Sequence, residues 1–74
     1  MKDRFCVCDR PGYFGGNKST VSSSHGTLKA ATAAMRRDSY TDERGKRRFP
    51  LCVVQAPLRK GATIWGDMFP KVLV

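Results

Sequence analysis

Three cysteines and a single histidine are the residues of this 74-residue chain with the widest chemical repertoire. Cys6, Cys8, Cys52 and His25 together form a donor set that zinc accepts. The spacing argues against it: one residue separates Cys6 from Cys8, whereas metal knuckles use C-x₂₋₄-C, and Phe5-Cys6-Val7-Cys8 is an uninterrupted apolar run of strand character. Thiols in such a run act as small buried hydrophobes, so no metal and no cofactor is expected. A Cys/His nucleophile would need one thiol beside His25 and a third group to orient the ring, and His25 followed by Gly26 reads instead as a loop or capping residue. Asp38, Asp42 and Glu43 cluster among Arg36, Arg37 and Arg44, an arrangement of solvated or paired charges and not of a general acid and base. The glycines between Gly12 and Gly16 follow neither G-x-G-x-x-G nor G-x-x-x-x-G-K-[ST]. The reading is therefore that of a non-enzymatic protein.

Charge carries more information. Lys and Arg number 14 against 6 Asp and Glu, a formal +8, which draws partners bearing phosphates or carboxylates. The densest run is Arg44-Gly45-Lys46-Arg47-Arg48. Lys29, Arg36 and Arg37 add a cationic helix face, and Arg59 and Lys60 a cationic turn. Tyr13, Phe14 and Tyr40 are aromatic side chains able to stack on bases or anchor a protein surface. The candidate partner-binding set is thus Lys29, Arg36, Arg37, Arg44, Lys46, Arg47, Arg48, Arg59, Lys60, Tyr13 and Phe14.

The elements that must position these residues follow from pattern. A chain of this length makes one domain, residues 1–74, burying roughly 60% of the surface exposed when unfolded. Phe5–Cys8 predicts a strand inside a sheet. Residues 11–24 predict irregular chain, unless Ser19-Thr20-Val21-Ser22 pairs as an extra strand, since loops beyond about 12 residues are uncommon. Leu28–Asp38 predicts a helix capped by Thr27 or Ser24, with Leu28, Ala31, Ala34 and Met35 on the packing side. Residues 49–56 predict the central strand, Pro50 standing at its start, and residues 51–65 a hairpin with Arg59 and Lys60 at its tip. Were the first two strands parallel, the helix between them would cross over right-handed. The tail from Trp65 to Leu73 reads as core. The fold expected is α+β, one helix on a three- to four-stranded sheet in β-α-β-β order.

The odd cysteine count, the absence of a signal peptide and apolar runs far short of a span point to a reducing cytoplasm and no membrane. One short basic domain with a long N-terminal loop and the Arg44–Arg48 connection resembles the small proteins that phages make to redirect host machines, including phage-encoded regulators of bacterial RNA polymerase. That resemblance implies a stoichiometric inhibitor or switch, monomeric when free, in the bacterial cytoplasm. It would dock on the acidic surface of a large nucleic-acid-processing enzyme. A direct DNA- or RNA-binding protein and an anti-defence inhibitor are the alternatives.

Overall fold

A computed structural model describes residues 2–11 and 17–74. Strand β1 (Arg4–Asp9) leads to β2 (Lys18–His25), helix α1 (Leu28–Arg37), the short strands β3 (Tyr40–Thr41) and β4 (Arg47–Arg48), then β5 (Leu51–Ala56) and β6 (Thr63–Trp65), closed by a 3-10 turn over Gly66–Met68. One helix lies on a four-stranded antiparallel sheet of order β5-β1-β2-β6, with β3 and β4 forming a separate two-stranded sheet. The α+β class and the single helix are as expected. The order ahead of the helix gains a strand, because Lys18–His25 is extended and paired where residues 11–24 read as irregular, with Ser19–Ser22 inside it. Among the described residues no helix is long and apolar enough to cross a membrane.

The pairing corrects three further expectations. β1 and β5 are antiparallel, Arg4 opposite Ala56 and Asp9 opposite Leu51, so no crossover handedness applies. β5 is not the central strand: β1 and β2 take the middle, and the far side of β5 meets the tail through a bridge between Val54 and Val72. β5 and β6 are not hairpin partners, since β6 pairs with β2 through Lys18–Trp65, Ser19–Ile64 and Thr20–Thr63. The physical reason lies in β2. Its register against β1 slips between Val7 and Cys8, leaving Ser22 as an extra residue, so its second half pairs with β1 and its first half with β6.

Period-2 alternation distributes the core over both faces of the sheet. Val7, Leu51 and Val53 pack against Ala31 and Met35 of α1, with Phe5, Ala34, Phe49 and Val74 half-buried around them. Cys6, Cys8, Cys52, Val21, Val54 and Ile64 fill the opposite face under Leu58, Ala62, Phe69 and Val72. α1 is held at its start by Thr27, whose Oγ1 accepts from the N–H of Ala30 at 3.2 Å. Leu28, expected in the packing stripe, is 40% exposed, and the tail divides. Phe69 and Val72 pack, whereas Trp65 and Met68 are 51% and 75% exposed.

Candidate nucleic-acid interface

The run Arg44–Arg48 is not a plain connection. Tyr40 pairs with Arg48 and Thr41 with Arg47, making an antiparallel arm between the helix and β5. At its tip Gly45 N–H donates to Asp42 O at 3.0 Å and Asp42 N–H to Lys46 O at 2.9 Å. Gly45 sits at φ +78°, a left-handed position that closes a three-residue hairpin loop and strains any residue with a Cβ. The Asp42 carboxylate is the hub. Its Oδ1 accepts from the N–H groups of Arg44 at 3.0 Å and Lys46 at 2.9 Å, and its Oδ2 from Arg48 Nε at 2.8 Å. The Lys46 N–H foremost, then the Arg48 guanidinium, holds the Asp42 carboxyl below the usual carboxylate range.

The arm is fastened to the end of α1 by polar contacts. Arg47 Nε donates to Ser39 Oγ at 2.9 Å, and Ser39 Oγ donates to Arg36 O at 2.6 Å. Arg36 and Arg37, exposed in the last helical turn, therefore stand beside Arg47, while Arg44 and Lys46 lie exposed at the tip. Those cations offset the helix dipole as well as enlarging the charged surface. On the other side Arg10 braces the return of the chain, its Nε donating to Phe49 O at 2.9 Å and its Nη2 to Leu51 O at 3.0 Å.

The structure thus gathers Arg36, Arg37, Arg44, Lys46, Arg47 and Arg48 at one end, with Asp42 pairing Arg48. It separates the rest of the set. Arg59 and Lys60 follow β5, whose six residues carry the chain about 17 Å away to the end where Arg4 pairs with Ala56. There Arg59 lines a hollow with Lys2, Arg4, Pro57 and Leu58. Lys29 is exposed in the first turn of α1, about 10 Å along the axis from Arg36 and on the same helix face. Tyr13 and Phe14 lie outside the described residues. Among the described residues Tyr40, on the arm opposite Arg48, is an exposed aromatic side chain at the basic end, at 47% exposure.

Arg10 and Asp42 escaped the sequence reading as organisers of this end. Asp42-Glu43-Arg44-Gly45 carried the signal for Asp42, an Asx-type turn ending in glycine between two short extended segments. Arg10 had no such signal, because its acceptors are carbonyls 39 and 41 residues away.

The thiols and His25 do not converge. His25 lies opposite Phe5, on the helix side of the sheet, and its Nε2 is 2.9 Å from Ser23 Oγ. The cysteines occupy the other face. Among the described residues no three His, Cys, Asp or Glu side chains are placed to hold a metal ion. Comparison of the chain with family models, with curated proteins and with solved structures gave no match in any of the three.

Proposed function

We propose that this chain is a non-enzymatic nucleic-acid-binding protein that grips the phosphate backbone of a duplex with the β3–β4 arm and the end of α1. The observation that supports it is the joining of Arg47 to the helix end through Ser39, which sets the cations of two elements at one end. Phosphate contact supplies affinity through release of condensed counterions, and a two-stranded ribbon is narrow enough for the major groove of B-form DNA. The ion pair of Arg48 with Asp42 keeps the ribbon in shape, leaving Arg44, Lys46, Arg47, Arg36 and Arg37 as the phosphate-facing cations.

The test is a salt titration with a labelled duplex. Log affinity falls linearly with log salt, by roughly 0.9 for each phosphate neutralised. A flat dependence, or no binding at low salt, rejects the reading.

A second reading has its own support. Trp65 and Met68 are exposed and border an apolar hollow with Ala56, Pro57, Leu58, Thr63, Ile64 and Pro70. Aromatic and methionine side chains of this kind anchor protein interfaces. In that case the chain docks on a protein machine handling nucleic acid, such as an RNA polymerase, and the basic end meets acidic surface or passing template. Capture of the same protein from bacterial lysate before and after nuclease treatment, lost on Trp65→Ala, would favour this reading over direct binding.

A further inference from the structure

Cys8 on β1 and Cys52 on β5 are directly opposed, and their sulfurs are 3.8 Å apart. Both side chains are fully buried on the face of the sheet away from the helix. The α-carbon spacing there admits a covalent link, and the Cβ atoms, about 4.5–5.5 Å apart across a directly opposed pair, close by up to about 1 Å to form it. Arg10 N–H donates to Pro50 O, so two residues further along the antiparallel ladder Cys8 and Cys52 form another hydrogen-bonded pair, with α-carbons about 5.5 Å apart. Disulfides span roughly 4.4–6.8 Å between α-carbons.

Cys6 is placed differently. It lies two residues back on the same strand, about 6.6 Å from Cys8 along the chain, and faces Ser24 and Val54 across the sheet. Its thiol is directed at the carbonyls of Ala56 and Leu58, each 3.5 Å away.

We propose that Cys8 and Cys52 are an oxidative modification site, forming an intrachain disulfide that ties β1 to β5 and leaves Cys6 as a thiol. The oxidant class is a hydroperoxide. The Cys52 sulfur attacks the terminal peroxide oxygen, the O–O bond breaks, and the departing alkoxide takes the thiol proton to leave as an alcohol, or as water from hydrogen peroxide. Cys52 is then a sulfenic acid. The Cys8 sulfur attacks the Cys52 sulfur, the S–S bond forms, the S–O bond breaks, and hydroxide leaves as water with the Cys8 proton. Two thiols and one hydroperoxide give one disulfide, one water and one alcohol.

The order of attack follows from the surroundings. The contact with the Cys8 sulfur and then the charge of Arg10, whose guanidinium is bonded to the Leu51 carbonyl next to Cys52, favour the thiolate at Cys52, while that same contact and burial push the Cys8 thiol up. The cluster that holds both sulfurs is covered by Leu58, Ala62, Phe69 and Val72, and the tail is bound to β5 through Leu73 N–H to Val53 O at 2.8 Å and Val53 N–H to Val74 O at 3.3 Å. Reaction in the folded protein therefore proceeds when this cover parts, and sub-denaturing urea accelerates it.

The experiment treats the reduced full chain with excess hydrogen peroxide. Free thiols are then alkylated in denaturant, and the intact and proteolysed products are weighed under non-reducing conditions. The expected result is a monomer carrying one alkyl group and lacking two hydrogens, fragments containing Cys8 and Cys52 joined, Cys6 alkylated, and a melting temperature raised by roughly 10 °C that reductant reverses. Cys6→Ser retains the link and Cys52→Ala abolishes it. A link through Cys6, cross-linking only between chains, or complete alkylation of all three thiols after oxidation overturns the proposal, and the wild-type fragment map decides even if a variant fails to fold.

Discussion

The arm and the sheet are built on opposite principles. β1 buries Cys6, Val7 and Cys8, and β5 every residue but Gln55, on both faces of the sheet, and apolar area of this kind is worth roughly 25 cal/mol per Å² removed from water. The arm has no buried residue in either strand. It is shaped by a glycine conformation, one carboxylate and the hydroxyl of Ser39. Stability therefore resides in the sheet, while the arm is free to carry charge that the core could not accommodate. Substitutions in one region should leave the other nearly untouched, and this independence can be attacked experimentally.

The largest effect is expected in the sheet. Val53 is fully buried against the helix, so Val53→Asp inserts an unpaired carboxylate and should unfold a chain of such small stability. Met35→Ala, at 2% exposure, should cost about 2–5 kcal/mol through lost transfer energy and a cavity. Urea unfolding followed by circular dichroism measures both. A Val53→Asp protein with a normal midpoint would mean that the helix does not pack where described.

Reversal of Arg44, Lys46 and Arg47 to Glu should do the opposite. Duplex affinity should drop at least about tenfold at low salt and the log–log salt slope flatten by roughly 0.9 per lost contact, with the unfolding midpoint unchanged. Reversing Arg59 and Lys60, at the far end, should leave affinity within about twofold, apart from the general loss of positive field. Equal losses from the two sets would dissolve the distinction between a binding end and a solvated end.

Asp42 sharpens the comparison through pH. Its folded pKa is depressed, so its contribution is fully present above the unfolded value of about 4 and disappears as pH falls through the lower folded value. The protection of the Lys46 and Arg44 amides, taken relative to the intrinsic exchange rate at each pH, should fall on acidification across that window, while amides of β1 stay protected until global unfolding. Asp42→Asn should show fast exchange in the arm at neutral pH and no further acid step there. An acid step of the same size in Asp42→Asn would assign it to another group.

Gly45→Ala is the smallest of the set. The left-handed φ costs a residue with a Cβ about 1 kcal/mol, confined to the arm, and should weaken duplex binding by less than about tenfold. No shift in the global melting temperature is expected.

The sheet and the arm also differ in how far they could be read from sequence. Helix α1 was legible to within a residue because Thr27, the alanines and the 3.6-residue spacing of Ala31 and Met35 all agree. β1 and β5 announced themselves by β-branched and apolar runs. Their partners did not, since antiparallel register depends on contacts such as Cys8 with Cys52 that local pattern cannot encode. β2 was obscured by serines, whose polar side chains alternate with only Ser19 and Val21 buried. The basic residues were legible one by one, yet only the turn at Asp42 and the bond from Arg47 to Ser39 decide which share an end.

The position of β1 between its neighbours also sets the order in which the chain can assemble. Its partner β2 is close by, but β5 arrives from 42 residues away at Asp9–Leu51 and 52 at Arg4–Ala56. Closing that long loop is the costly kinetic step, and contacts of high sequence separation slow the search. The arm lies within the intervening segment, and its own turn, once closed, shortens the chain that must be searched. Stopped-flow refolding should accordingly give a φ-value near zero for Val54→Ala and a higher one for Val21→Ala. The reverse ranking would place β5 docking ahead of the β1–β2 hairpin.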